Sequence, residues 1–299
     1  MTAIKHWLGA IRLRTLPLAL SSIAMGGFLA GKAGVFRWDI FFWCVLTTIF
    51  LQVLSNLAND YGDFIHGADH QGRKGPQRAV QSGAIRPGTM RIAIAIFIGL
   101  SLISGFILLF TAFGFNWQAI AFFLMLGLLS IAAAITYTAG RKPYGYIGLG
   151  DLSVLVFFGL VGVLGSYYLF THSVSVAELF PALATGLLAV AVLNVNNIRD
   201  IESDRQAGKF SIPVRIGYAR AITYHWMILS AAVVFAVVYT AIRFQSLWQF
   251  LFLLAVPLLV RNAIAIQRHP PASLDPWLKQ MALSALLFVL LFGTGLVLA

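Results

Sequence analysis

"WDIFFWCVLTTIFLQVLSNLANDYGD", residues 38–63, opens as a nearly uncharged apolar run and ends in Asn56, Asn59, Asp60 and Asp63. A run of this length crosses a bilayer as one helix, at about 1.5 Å per residue. Carboxylates at such an edge are costly next to lipid. They normally face protein or water, where they serve a function.

The rest of the chain repeats the apolar pattern. Its 299 residues are 60% hydrophobic and 10% charged, with a mean hydropathy of +0.86. A soluble domain lies nearer half apolar and a quarter charged. Nine runs have spanning length: about 15–31, 38–57, 92–113, 117–138, 149–170, 177–196, 221–242, 247–267 and 279–298. They lack the alternation of barrel strands, and lipid leaves helices as the other solution. The expected fold is all-α, a single polytopic domain over 1–299. Nine transmembrane helices would surround a central cavity under a cap of cytoplasmic loops. The start, "KHWLGAIRLRTLPLALSSIAMGG" (5–27), reads as the first of these spans rather than a signal peptide. Cys44, the single cysteine, falls inside the second span and reads as a packing thiol.

Basic residues set the orientation. With the N-terminus inside, eighteen of the 21 Lys and Arg fall in cytoplasmic segments. Only Lys32, Arg37 and Arg243 fall outside. Trp38, Trp117 and Trp248 open spans at the outer surface, where indole favours the interface. The net charge of +11 is divided among short loops, which suits topology and anionic lipid and argues against a nucleic-acid partner.

Six of the ten acids lie in two segments, Asp60, Asp63 and Asp69 after the second span and Asp200, Glu202 and Asp204 after the sixth. Both segments begin with asparagines, in "NLANDYGD" (56–63) and "NVNNIRDIESD" (194–204). If each helix persists, Asn56, Asp60 and Asp63 share one face, as do Asn196, Asp200 and Asp204. Two helices would then offer amide-and-carboxylate stripes to one cavity. Facing carboxylates need cations. Mg²⁺ fits, because it takes oxygen ligands and usually binds one or two carboxylates plus substrate phosphates. The loops that follow add Arg73, Lys74, Arg78, Arg205 and Lys209. A third, "YTAGRKPYGYIGLGD" (137–151), adds Arg141 and Lys142 between Tyr137 and Tyr144. Arginine forks and mobile lysines suit a diphosphate, although most of the eighteen inner cations need no role beyond topology.

These stretches, with "RLRTLPLALSSIAMG" (12–26), "GPQRAVQSGAIRPG" (75–88) and "NNIRDIESDRQAGKFSIPVRIG" (196–217), resemble the UbiA superfamily of intramembrane prenyltransferases. Within it they look most like the branch that prenylates 1,4-dihydroxy-2-naphthoate in menaquinone biosynthesis. The likeness covers essentially the whole chain. It implies that Asp60, Asp63, Asp200 and Asp204, with Asn56, Asn59 and Asn197, hold two Mg²⁺ ions on the diphosphate of a polyprenyl donor. Arg78, Lys142 and Lys209 would contact that diphosphate, and Asp69 or Lys142 would act as base. Asp63 and Asp69 are six residues apart, longer than the general pattern but shared by the naphthoate branch. Tyr137 precedes Lys142 by five residues where the family often has four, so Arg141 takes the lysine's place. The implied setting is the inner membrane of a bacterium, with the site on its cytoplasmic side. Two alternatives stay open: a relative acting on 4-hydroxybenzoate, homogentisate or haem, and, more remotely, a cation-coupled transporter.

Overall fold

All but the first of the expected spans form full-length helices in the structure, a computed structural model that describes residues 2–67 and 78–299. The helices are α1 (Thr2–Ile11), α2 (Leu16–Lys32), α3 (Trp38–Ile65), α4 (Pro87–Phe113), α5 (Trp117–Thr136), α6 (Gly150–Thr171), α7 (Val176–Arg199), α8 (Ile201–Gln206), α9 (Ile212–Ile216), α10 (Tyr218–Ile242), α11 (Leu247–Arg268) and α12 (Asp275–Val297). No strand occurs among the described residues. Eight of the helices, α3 to α7 and α10 to α12, are long and apolar enough to cross a membrane.

The first expected span, 15–31, forms as α2 over nearly the same residues. α2 has only 17 residues, and it completes a span only together with α1, from which it is bent by 48°. Arg12 at the bend takes a left-handed conformation (φ 53°), which costs a non-glycine residue about 1 kcal/mol. Side chains hold it there. The Thr15 hydroxyl donates to the Arg12 carbonyl (2.9 Å), while Asn56 Nδ2 donates to the Ile11 carbonyl (2.8 Å) and to Thr15 Oγ1 (2.9 Å).

α7 and α12 are the most buried spans and form the core with α2, α10 and α11, around Leu188, Ile198, Phe252, Phe288 and Phe292. α3 and α4 pair beside this unit, and α5 packs on both. α5 is the least buried span and packs on α3 and α4 more than on α6. α6 is wedged between α2 and α7, and its central part, Leu155–Gly165, is wound as a wider π-helix. Hydrocarbon gives helices no hydrophobic reason to associate, so small residues that permit close packing decide the contact. Gly159 of α6 meets Gly186 of α7. A Cβ on Gly159 would lie 2.8 Å from the Ala182 carbonyl oxygen and 3.0 Å from the Gly186 Cα.

Both obstacles are backbone, so neither yields cheaply. Gly159→Ala should lower the melting temperature in detergent, with overpacking costing about 1–3 kcal/mol. Gly127→Ala on α5, where the added methyl meets nothing within 4 Å, should leave it unchanged or raise it.

Candidate active site

At the end where α3 and α7 stop, three loops are tied together. The Phe210 N–H donates to the Tyr146 carbonyl (2.8 Å), and Arg215 donates to the carbonyls of Ile147 and Phe210. His66 reaches the Gly140 carbonyl (2.8 Å), and the Thr138 hydroxyl donates to Asn59 Oδ1 (3.1 Å). Gly62 lets this layer close onto α3: a Cβ there would lie 2.7 Å from the Thr138 carbonyl carbon.

The acids at the end of α3 are buried. Asp63 is fixed on both oxygens, Oδ1 accepting from the Tyr146 hydroxyl (2.8 Å) and Oδ2 pairing with Arg78. Arg78 also donates to the Asn59 carbonyl (2.7 Å), and so closes the last turn of α3. Its own position comes from a small apolar cluster in which Ala79, Val80 and Ile85 pack on Ala10, Val53 and Leu57. Asp60, one turn back, is 1% exposed, with Arg78 and Arg12 as its nearest cations. The Ala79 N–H is directed at its carboxylate, and neither carboxylate oxygen has a side-chain hydrogen-bond partner among the described residues.

The second acidic segment differs from the expected single stripe. α7 ends at Arg199, Asp200 takes an irregular conformation (φ −95°, ψ 10°), and α8 begins after it. The i to i−4 bonds still run through, from the Asp200 N–H to the Asn196 carbonyl and from the Asp204 N–H to the Asp200 carbonyl. Asp200 itself is held by its neighbour: Arg199 donates to both Asp200 oxygens (2.8 and 2.7 Å), to Asn196 Oδ1 (2.9 Å) and to Asp275 at the start of α12. Asp204 Oδ1 lies 3.4 Å from Lys209 Nζ, its Oδ2 has no partner among the described residues, and the same holds for Asn197 Oδ1.

Lys209 joins the two segments. Burial alone would push its ammonium down, but the Asp204 and Asp63 carboxylates outweigh that and hold it above the ordinary lysine value. Burial raises the Asp204 carboxyl above the usual range against the pull of Lys209, with Asp200 and Asp63 adding to the rise. Tyr146 is raised by burial and by Asp63, and burial pushes the Tyr137 hydroxyl up to about 12.

Next to this charged cluster lies a cavity of about 390 Å³ between α2, α3, α4, α5 and α6. Its body is apolar, lined by residues such as Leu51, Leu108, Leu124, Phe157 and Phe158. Gln52, Asn56, Asn59, Tyr137, Tyr144 and Ser153 line its polar part. Phe123, one of its lining residues, stacks on Tyr168 at 5.4 Å, and Phe113 meets His172 at 5.3 Å. Tyr137 belongs to both regions: it lines the cavity, and its hydroxyl lies in the field of Lys209 and Asp63.

Several expected roles change. Arg141 and Lys142 are exposed, outside the buried cluster, and Lys209 is the lysine that enters it. The Lys142 side chain therefore does not reach the buried carboxylates in this arrangement. Asn56 spends both amide hydrogens on the α1–α2 bend. The Tyr144 hydroxyl bonds to the Ala133 carbonyl and to Ser153, within the cavity wall. Asp69, Arg73 and Lys74 lie outside the described residues. Sequence reasoning did not single out Tyr146 or Arg199, and the one available signal for each was adjacency to a flagged residue.

No three acidic, histidine or cysteine side chains converge on one point among the described residues. The donor set still fits Mg²⁺. The Asp60 carboxylate, which has no side-chain partner, and the unpartnered oxygens of Asp204 and Asn197 are hard ligands, too few for an all-protein cage and suited to an ion completed by phosphate and water.

Arg78 and Asp63 are 9% and 3% exposed, so removing one partner strands a buried charge. Arg78→Met should destabilise the protein by about 3 kcal/mol. Adding Asp63→Asn should recover at least half of the lost melting temperature; a double variant no more stable than the single one would show that the pair does not hold this turn.

Residues 19–286 match the UbiA prenyltransferase family. The chain is 46% identical to the 1,4-dihydroxy-2-naphthoate octaprenyltransferase of Haemophilus influenzae, over 98% of this chain and 96% of that one. It is also 46% identical to the enzyme of the same name from Escherichia coli K12, over 98% and 95%. A structure of a UbiA homolog from Archaeoglobus fulgidus bound to DMAPP and Mg²⁺ superposes with a TM-score of 0.65, at 16% identity, over 98% of this chain and 99% of that one. The chain belongs to the UbiA prenyltransferase family.

Proposed function

We propose that this protein transfers a polyprenyl group from polyprenyl diphosphate to 1,4-dihydroxy-2-naphthoate, releasing diphosphate and CO₂ and giving a demethylmenaquinol. The observation that carries the reading is the junction at Tyr137, where an apolar cavity meets buried carboxylates and two fixed cations. The names of the relatives at 46% identity support the choice of acceptor.

The residues divide the work by charge. Asp60, Asp204 and Asn197 would hold Mg²⁺, with Asp63 and Asp200 close by. Bound Mg²⁺ supplies Lewis-acid stabilisation of the diphosphate as its C–O bond to the allyl carbon breaks. Arg78 and Lys209 add positive charge that is already oriented, by Asp63 and Asp204, and needs no reorganisation. The cavity keeps water from the allyl cation, and the T-shaped pair of Tyr137 and Tyr144 rings offers it π faces. With its pKa near 12, Tyr137 stays protonated at neutral pH and acts as a wall and donor rather than as a base. The new C–C bond forms at the ring carbon bearing the carboxylate, and loss of CO₂ restores aromaticity. The loose packing between α5 and α6 would let the prenyl chain remain in lipid.

The site then faces the cytoplasm of a bacterial inner membrane, with the N-terminus inside and nine crossings. A reporter fused after Ala299 should be active only outside; cytoplasmic activity would overturn this topology. Asp60→Asn combined with Asp204→Asn should reduce demethylmenaquinol formation by about 10²–10³-fold. Chelation should abolish it, and added Mg²⁺ should restore it. Product from 4-hydroxybenzoate with none from the naphthoate would replace the proposed acceptor.

A further inference from the structure

Among the described residues, Lys32, Arg37 and Arg243 are the basic side chains that the topology places at the end of the bundle opposite the two acidic segments. Arg37 is taken up by Asp39, with Nη2 at 2.6 Å and Nε at 3.2 Å. The other two converge on a second cavity, of about 380 Å³, lined also by Tyr167, Glu178, Tyr239 and Gln245. α2 separates this cavity from the α1–α2 bend beside the acids by its full 17 residues, about 25 Å. It is a separate site.

Its charges do not balance. Glu178 is committed to its own turn, Oε2 accepting from the Ser175 N–H (2.9 Å) and from the Ser175 hydroxyl (2.5 Å). Arg243 makes one long bond, to Ser175 Oγ (3.3 Å), which leaves most of its five donors for another partner. Lys32 Nζ is buried with no hydrogen-bond partner among the described residues. Two cations against one engaged carboxylate leave one positive charge without a counterion, and a buried ammonium without one is costly. Ile242 and Phe244 at the rim are exposed and apolar, and Trp248 is exposed at the same end. The opening therefore lies at the depth where lipid headgroups sit.

We propose that this cavity binds a phosphate mono-anion, and that in the membrane the occupant is the phosphodiester of an anionic lipid headgroup. Lys32 and Arg243 take the charge, and the hydroxyls of Tyr167 and Tyr239 offer hydrogen bonds to the oxygens.

The test is thermal unfolding of the full chain in detergent, titrated with dioctanoyl phosphatidylglycerol, with dioctanoylglycerol lacking the phosphate, or with inorganic phosphate. Phosphatidylglycerol should raise the melting temperature, and Lys32→Gln should weaken the half-saturating concentration about tenfold. Arg243→Gln should act alike, Lys32→Arg should retain the response, and prenyl transfer should be unchanged in all three. A full response to inorganic phosphate alone, lost in Lys32→Gln, would keep the anion site and overturn the lipid. An equal response to dioctanoylglycerol, no response at all, or one that survives in both glutamine variants would overturn the site. If Lys32→Gln does not fold, Arg243→Gln decides.

Discussion

Everything at the active end depends on neutralising carboxylates where membrane helices stop. Asp63 is buried, and it is stable there because Arg78 and Tyr146 occupy both of its oxygens. Arg78 is in turn fixed by the carbonyl of Asn59, and Tyr146 by the loop bonded to Phe210. Across the bundle, Arg199 does for Asp200 what Arg78 does for Asp63, and Lys209 lies between the two sets. Holding these charges orders the loops, and the ordered loops leave Asp60 without a side-chain partner and one oxygen of Asp204 unpartnered among the described residues. The same balance that permits the acids to be buried thus leaves oxygens for a ligand.

The bundle sets that cluster beside hydrocarbon rather than water. Close packing of α6 on α7 through Gly159 and Gly186 fixes the position of α6, which lines the cavity, and the packing between α5 and α6 is loose. The ring cluster of Phe113, Phe123, Tyr168 and His172 ties α4, α5 and the end of α6 together. The chamber is apolar along its body and meets the charged cluster at Tyr137, which is what a substrate with a diphosphate head and a hydrocarbon tail requires.

Much of this was legible in residue order. Long apolar runs gave the spans, and the spacing of Asn56, Asp60 and Asp63 gave one face of α3, because an uninterrupted helix preserves its 3.6-residue period. Legibility ended where local structure breaks that period. Asp200 reads as the middle of a stripe but sits at a helix end, where its neighbour Arg199 captures it. The choice among loop cations was also invisible. Lys209 turns inward, in a loop whose next residue bonds across to Tyr146, and Lys142 outward, a difference that no spacing encodes.

The π-wound part of α6 has a geometric effect on the chamber. Four residues of an ordinary α-helix overshoot one full turn by about 40°, so a wall made of every fourth side chain would spiral out of view within a few turns. The wider i to i+5 coil turns less per residue, so its four-residue steps fall short of a full turn and offset the overshoot of the α-helical steps on either side. Ser153, Phe157, Val161, Gly165 and Leu169, each four positions from the next, all line the same cavity. The helix thereby presents a straight strip along the chamber, a smooth rail for a flexible chain to lie against.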